Sequence, residues 1–373
     1  MDRWLIVQKK ISVYVKNKNF TPSSYYRVIQ YMECLPDEKI LIREAIPDEL
    51  YQNYINRNSK KIFTKIPINL FYYFYITVRI IYFLIKDVID NPENIVISKA
   101  LVPRYSIKPI MYLLDNLTKK VNLIWDYDDN ILENRQISKK EFYMLEKNSD
   151  HIIVTSDTLK QLVDEEFRKK VLILPTTDGT LKIKNIDKII ENRKSIFESK
   201  IVIVWLATSG NLVHLKEILL EIDRFALITK KTNKKRVILK VICDKPLLEK
   251  TENVEIENIK WSRSIVEEEF EKSHLGIMPL IENEFTKGKG GFKLIQYQLA
   301  GLPIIASDVG YNKSIYNGEV GVLVKNKEDW TDALIKTTCS KKVWEKYSYN
   351  SIENAQLNFS PETNLKIWKE ILK

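Results

Sequence analysis

Cysteine is scarce in this sequence, and the little there is does not pair. Cys34, Cys243 and Cys339 lie far apart, are odd in number and form no CxxC motif. That argues against a disulfide frame or a zinc site and suits reduced thiols in a cytosolic setting. The opening stretch, MDRWLIVQKKISVYVK, lacks an apolar core and a small-residue cleavage site, so it reads as no secretion signal. No internal repeat or low-complexity linker is evident either. What is present is a globular composition, 45% hydrophobic and 29% charged over 373 residues. Such a chain is too long for one ordinary core and long enough for two α/β domains.

The net charge of +10 is spread unevenly. Residues 51–125 hold eleven Lys and Arg against four Asp and Glu, a local excess of +7. That excess suits an anionic partner such as lipid headgroups, a diphosphate or nucleic acid. A solvated lysine-rich face explains the same count. Within this region Ile66–Ile85 (IPINLFYYFYITVRIIYFLI) is long and apolar enough to suggest a membrane span. Arg79 sits well inside it, however, and Asn69 and Thr77 add polarity. The segment is therefore expected to be a helix packed in the first domain, part of it touching a bilayer interface.

The second half alternates strand and helix with short connections. Strands are expected at Ile201–Trp205, Val237–Cys243, Val254–Ile259, Leu275–Leu280, Pro303–Ala306 and Val320–Val324. Helices are expected at Leu212–Ile228, Ile265–Phe270 and Phe292–Ala300. This is the pattern of a doubly wound parallel sheet, whose ligands sit at the carboxyl ends of the strands. The first half repeats it more weakly, with strands expected at Trp4–Val7, Ile40–Arg43, Ile95–Ser98, Val121–Trp125, Ile152–Thr155 and Val171–Leu174. The fold class is α/β, with domains at 1–180 and 188–360 and the last helix, 361–373, crossing back to the first.

Chemistry concentrates in Lys287–Gly310, KGKGGFKLIQYQLAGLPIIASDVG. Gly288, Gly290 and Gly291 precede a helix, so backbone N–H groups and the helix N-terminus can approach an anion. Lys289 and Lys293 add full charges in the same place. A diphosphate leaving group needs that combination. A simple Gly-rich turn before a helix reads the same way.

With Leu275–Leu280 upstream, this passage resembles the donor-binding core of family 4 glycosyltransferases, which have the GT-B fold. It is most similar to a bacterial branch whose pattern runs DIGIMPL and then GKxGxKLxQYMAxGxPVVASxVG. The matches are Gly276–Leu280, Gly288-Lys289, Gly291, Lys293-Leu294, Gln296-Tyr297, Ala300-Gly301, Pro303, Ala306-Ser307 and Val309-Gly310. Ser23–Arg27 (SSYYR) resembles the branch's first-loop pattern and Trp125–Asn130 (WDYDDN) one of its strand ends. Val204–Leu215 and Trp261-Ser262 resemble two more of its segments. The resemblance implies two Rossmann-like domains facing a central cleft, the first taking the acceptor and the second a nucleotide-diphosphate sugar. It also implies transfer with retention, and no metal or other cofactor.

Site residues carry over one at a time. Thr208, Ser209, Gly210, Trp261, Lys289, Gly290, Gly291, Gln296, Ser307 and Gly310 are expected around the donor, with Lys293 at the leaving group. The wider family places two glutamates eight residues apart. Here those positions are Gly288 and Gln296, and an amide can still hydrogen-bond a ribose hydroxyl. The family's Arg and Lys after the first strand of the second domain are replaced by Ala207–Gly210. His274, where the branch prefers Asp, reads as structural. Asp126 and Asp128, at a strand end, are candidates to orient the acceptor hydroxyl, although a turn or cap cluster is the plainer reading. Tyr26, Arg27 and Arg104 are candidates to hold an acceptor phosphate, although the arginines could be surface ion-pair partners.

The function expected is sugar transfer to a lipid-linked or polysaccharide acceptor in bacterial surface glycan synthesis, by a cytoplasmic protein peripheral to the inner face of the membrane. An epimerase of the same fold, a DNA- or protein-modifying transferase and a non-catalytic sugar-binding subunit are the alternatives.

Overall fold

The computed structural model describes residues 9–56, 62–181 and 183–372, without the side chains of 56 and 62–65. The chain forms two units, Met1–Pro175 with Glu362–Lys373, and Thr176–Pro361. The first holds a parallel sheet of β1 (Lys10–Val15), β2 (Lys39–Glu44), β3 (Asn94–Ser98), β4 (Asn122–Tyr127), β5 (His151–Val154) and β6 (Val171–Ile173), in the order β2-β1-β3-β4-β5-β6. The second holds β7 (Lys200–Leu206), β8 (Arg236–Cys243), β9 (Glu255–Lys260), β10 (Leu275–Met278), β11 (Ile304–Ser307) and β12 (Gly321–Val324), in the order β12-β11-β10-β7-β8-β9. Strand order reverses between β1 and β3 in one sheet and between β7 and β10 in the other. In open α/β sheets ligands collect outside the carboxyl ends of the strands at that reversal.

Sequence explains which strands are central. β3 (NIVIS) and β7 (KIVIVWL) are apolar, β-branched runs buried over nearly their full length, as strands covered by helices on both faces must be. β9 (EIENIK) has four charged or polar residues in six and lies at an edge. The expected first strand, Trp4–Val7, falls outside the described residues, and β1 forms at Lys10–Val15. The expected helix Leu212–Ile228 is divided at Ile218 into Leu212–Glu217 and Leu219–Asn233. The last helix, Pro361–Ile371, belongs to the first unit. There Trp368 stacks on Tyr31, Asn364 donates to the Tyr31 hydroxyl, and Asn122 donates to the Ile371 carbonyl.

The long apolar segment is part of a 29-residue helix, Ile62–Asp90. Its inner face buries Tyr72, Ile76, Ile80, Phe83 and Leu84. Asp87 locks the far end onto the sheet, accepting from Ser12 Oγ at 2.8 Å, Tyr14 Oη at 2.6 Å and Arg43 Nε at 3.0 Å. Arg79, the charge inside the apolar run, donates to the Glu44 carbonyl at 2.7 Å and lies over the Phe83 ring. The outer face is apolar as well: Ile66, Leu70, Phe74, Val78, Tyr82, Ile85 and Ile89 are exposed. By length and composition, residues 66–90 would suffice to cross a membrane.

Candidate active site

The second unit gathers its loops at the β7/β10 reversal, and a buried tyrosine sets the spacing. A Cβ on Gly276 would fall 2.3 Å from the Tyr297 ring, so only glycine leaves room for that ring against β10. The Tyr297 hydroxyl accepts the Leu206 N–H at 2.9 Å and so ties the end of β7 to the Phe292–Leu299 helix. The glycine–tyrosine pair in the motif thus fixes the floor beneath the loops.

Above that floor, the Gly-rich loop enters its helix through Gly291, left-handed at φ +62°. Gly310, also left-handed at φ +54°, backs directly onto the loop: a Cβ there would lie 2.3 Å from the Lys287 carbonyl oxygen. Lys289 reaches the turn after β7, donating to Asn211 Oδ1 at 3.0 Å, and also lies over the Phe285 ring. Lys293 is half-buried in the first turn of the helix. Lys289 and the first-turn N–H groups therefore lie at the reversal, with Lys293 carried in the same first turn, an arrangement suited to a diphosphate. A cavity of about 400 Å³ opens at the carboxyl ends of β10, β11 and β12, lined by Leu280, Glu282, Ser307, Asp308 and Lys325 among others. Another cavity of this unit, about 450 Å³, lies at the amino ends of β7 and β8 near Lys200 and Ile238, away from these loops.

Other expected donor residues have different roles. Gln296 is only 2% exposed, and its amide donates to Asp178 Oδ2 at 2.7 Å, while Asp178 Oδ1 holds the Thr180 and Leu181 N–H groups. One amide N–H of Gln296 is therefore committed to a buried carboxylate. Ser307 Oγ accepts the Leu280 N–H at 2.8 Å and so tethers the β10 loop. In the turn after β7, Thr208 and Gly210 are exposed, while the Ser209 N–H and hydroxyl both donate to Asp244. Trp261 lies beyond edge strand β9, half-buried against the core, with its backbone N–H bonded to the Cys243 carbonyl. His274 is structural: Nδ1 accepts the Val202 N–H, Nε2 pairs with the Arg193 carbonyl, and burial drives its pKa down to about 3.

In the first unit the acceptor candidates separate into buried and open groups. Arg27 lies in a π-helical turn, Tyr25–Ile29, and not in a loop. Its guanidinium is fully buried, donating to Asp126 Oδ1 from Nε at 3.1 Å and from Nη2 at 2.5 Å, and to the Leu174 carbonyl from Nη1. Burial pushes the Asp126 carboxyl up to about 6, with Arg27 pulling the other way. Arg27 and Asp126 thus pair with each other at the sheet end, and Tyr26 is buried near Arg27 in the chain.

Asp128 and Arg104 remain accessible. Asp128 is half-buried and pairs with Lys99 at 2.6 Å, and Lys99 also meets Asp129 at 3.0 Å. Burial opposes the charge on Lys99, but the two carboxylates hold its pKa above the usual lysine value. Arg104 is exposed and left-handed at φ +73° in the loop after β3, where the Tyr105 carbonyl accepts from Tyr73. Among the described residues no group of three or more His, Cys, Asp or Glu is arranged to hold a metal ion.

Two six-stranded parallel sheets, each layered with helices, make this the GT-B fold of two Rossmann-like domains. Residues 203–339, which contain the loops described above, match the family model "Glycosyl transferases group 1". The chain is a nucleotide-sugar-dependent glycosyltransferase. Similar solved structures include HepE of Anabaena in complex with UDP and glucose, with TM-score 0.65 and 10% identity over 98% of this chain and 99% of that one. A glycosyltransferase from Rickettsia africae aligns with TM-score 0.60 and 16% identity, over 98% of this chain and 99% of that one. Sucrose-phosphate synthase from Thermosynechococcus elongatus gives TM-score 0.59 and 12% identity, over 98% of both chains. No curated protein matches the sequence.

Proposed function

We propose that the chain moves a sugar, with retention, from a nucleotide-diphosphate sugar to a lipid-linked or polysaccharide acceptor in bacterial surface glycan synthesis, as in the family 4 branch it resembles. The observation that carries the donor half is the bond from Lys289 to the β7 turn at the β7/β10 reversal, beside a helix that Gly291 opens and whose first turn carries Lys293. Charge develops on the diphosphate as the glycosidic bond breaks. Fixed cations and N–H groups at that point stabilise the transition state more than the ground state. Two lysines supply the neutralisation that a metal gives elsewhere, so the reaction proposed uses no metal or other cofactor. HepE, solved with UDP-glucose, supports a nucleoside-diphosphate sugar as the donor.

On the acceptor side, Asp128 is the carboxylate available to orient a hydroxyl and Arg104 the cation available to a phosphate. The exposed apolar face of Ile62–Asp90 supports a peripheral site on an anionic inner-membrane surface, because Lys86 on that helix and Arg104 and Lys108 beyond it are exposed cations. Incubation with a panel of nucleotide-sugars and a lipid-linked acceptor, followed by nucleotide release, tests the reaction. Wild type should turn over, and Lys293→Ala should lose about 3 kcal/mol of transition-state stabilisation, roughly a hundredfold in rate. Near-wild-type turnover in that variant would refute the leaving-group assignment. Flotation with anionic vesicles tests the surface. Phe74→Ser with Ile89→Ser, both at exposed positions, should release the protein, and indifference of the wild type to anionic vesicles would end the membrane reading.

A further inference from the structure

The short helix after the β7 turn, Leu212–Glu217, carries a histidine that reaches the opposite side of the strand-order reversal. His214 Nδ1 accepts the backbone N–H of Ile281, in the loop after β10, at 3.2 Å. A ring nitrogen that accepts an N–H carries no proton, so the neutral ring bears its proton on Nε2. Burial, and then the nearby Lys289 ammonium, keep the imidazole pKa below its ordinary value, so the ring is neutral at pH 7. Nε2 has no protein partner among the described residues and is not a buried, unsatisfied atom, so it opens to solvent.

The surroundings select the ligand. The Lys289 ammonium acts on the ring and donates to Asn211 in the same β7 turn, and the carboxylate bonded to that turn among the described residues, Asp244, is occupied by Ser209. Donors gathered in this way suit an oxygen-rich anion. We infer that His214 is an anion-contacting residue of the donor site, its Nε2–H donating to a phosphate oxygen of the bound diphosphate alongside Lys289. This rests on the donor-site reading above and adds to it a neutral, tautomer-fixed donor just after the turn where the related family's Arg and Lys are missing.

A rival role exists, since the Ile281 bond alone would make His214 a tether between β7 and β10. Two amide substitutions separate the roles. His214→Asn keeps an acceptor near Nδ1 for the Ile281 N–H but has nothing at Nε2, whereas His214→Gln places an amide N–H near Nε2 and gives up the Nδ1 acceptor. Binding of inorganic pyrophosphate and of UDP is measured by calorimetry, with melting temperature recorded for each protein. Wild type should bind both probes. Asn should melt like wild type yet bind roughly tenfold or more weakly, and Gln should recover most of the affinity despite a lower melting temperature. The reverse order, with Asn binding normally and Gln weakly, makes His214 a tether and overturns the inference, as would equal losses in both. If wild type binds neither pyrophosphate nor any nucleoside diphosphate, the donor-site reading itself fails, and the inference goes with it.

Discussion

Gly310→Ala tests whether the β11 turn positions the phosphate loop. Two costs act at this residue. The backbone is left-handed at φ +54°, which costs an alanine about 1–2 kcal/mol. The new methyl would also sit 2.3 Å from the Lys287 carbonyl oxygen and 2.9 Å from its carbon, both backbone atoms that cannot rotate away. Relief needs a shift of about 1 Å in the loop carrying Lys289, Gly290 and Gly291, and a misplacement of that size costs on the order of a hundredfold in rate. Gly318→Ala is the matched control, left-handed at φ +88° with nothing within 4 Å of the added methyl. The control should lose about 2–8 °C in melting temperature and keep its turnover. Gly310→Ala should lose at least as much stability and in addition most of its nucleotide release from a nucleotide-sugar. Equal turnover in the two variants would show that close packing of Gly310 on Lys287 does not set the loop.

Three further outcomes follow from buried polar groups. Arg27→Ala strands the Asp126 carboxylate in the first unit and should cost about 3–5 kcal/mol, read as faster hydrogen exchange along β4; a loss below about 1 kcal/mol would refute the pairing. Glu141 is buried and its pKa is raised to about 7 from 4.5. The folded state therefore holds this proton to higher pH than the unfolded state, and stability should fall by about 3 kcal/mol as pH rises from about 4.5 to 7. Glu141→Gln should flatten that slope in denaturation midpoints, and an unchanged slope would assign it elsewhere. Gln296→Glu would set a second carboxylate against Asp178, so it should lower the melting temperature, and adding Asp178→Asn should restore it. A stable single Glu variant would show that the Gln296–Asp178 bond is dispensable.

The doubly wound pattern was legible because its cause is local: apolar runs such as IVIVW, helix-period stretches between them, and short turns leave few other ways to bury both faces. The Gly-rich loop was legible for a similar reason, since glycine and lysine spacing before a helix is a backbone and charge requirement written in adjacent residues. Arg27 and Gln296 were not legible. Their partners, Asp126 and Asp178, are 99 and 118 residues away in the chain, and burial turned groups that looked ready for a ligand into internal pairs. His214 and Asp244 were missed because nothing near them in sequence marks them; each meets its partner only when β7, β8 and β10 lie side by side.

By itself, then, the sequence determined two α/β units, the strand–helix alternation of the second, and the loop where anion-binding groups gather. The tertiary structure decided which polar side chains reach that loop and which are consumed in holding it. It also decided that Ile62–Asp90 buries one apolar face and exposes another, which hydropathy along the segment cannot distinguish. The physical reason is the same in each case. Periodicity and backbone chemistry act over a few residues, whereas desolvation and hydrogen-bond satisfaction depend on neighbours that only the folded chain supplies.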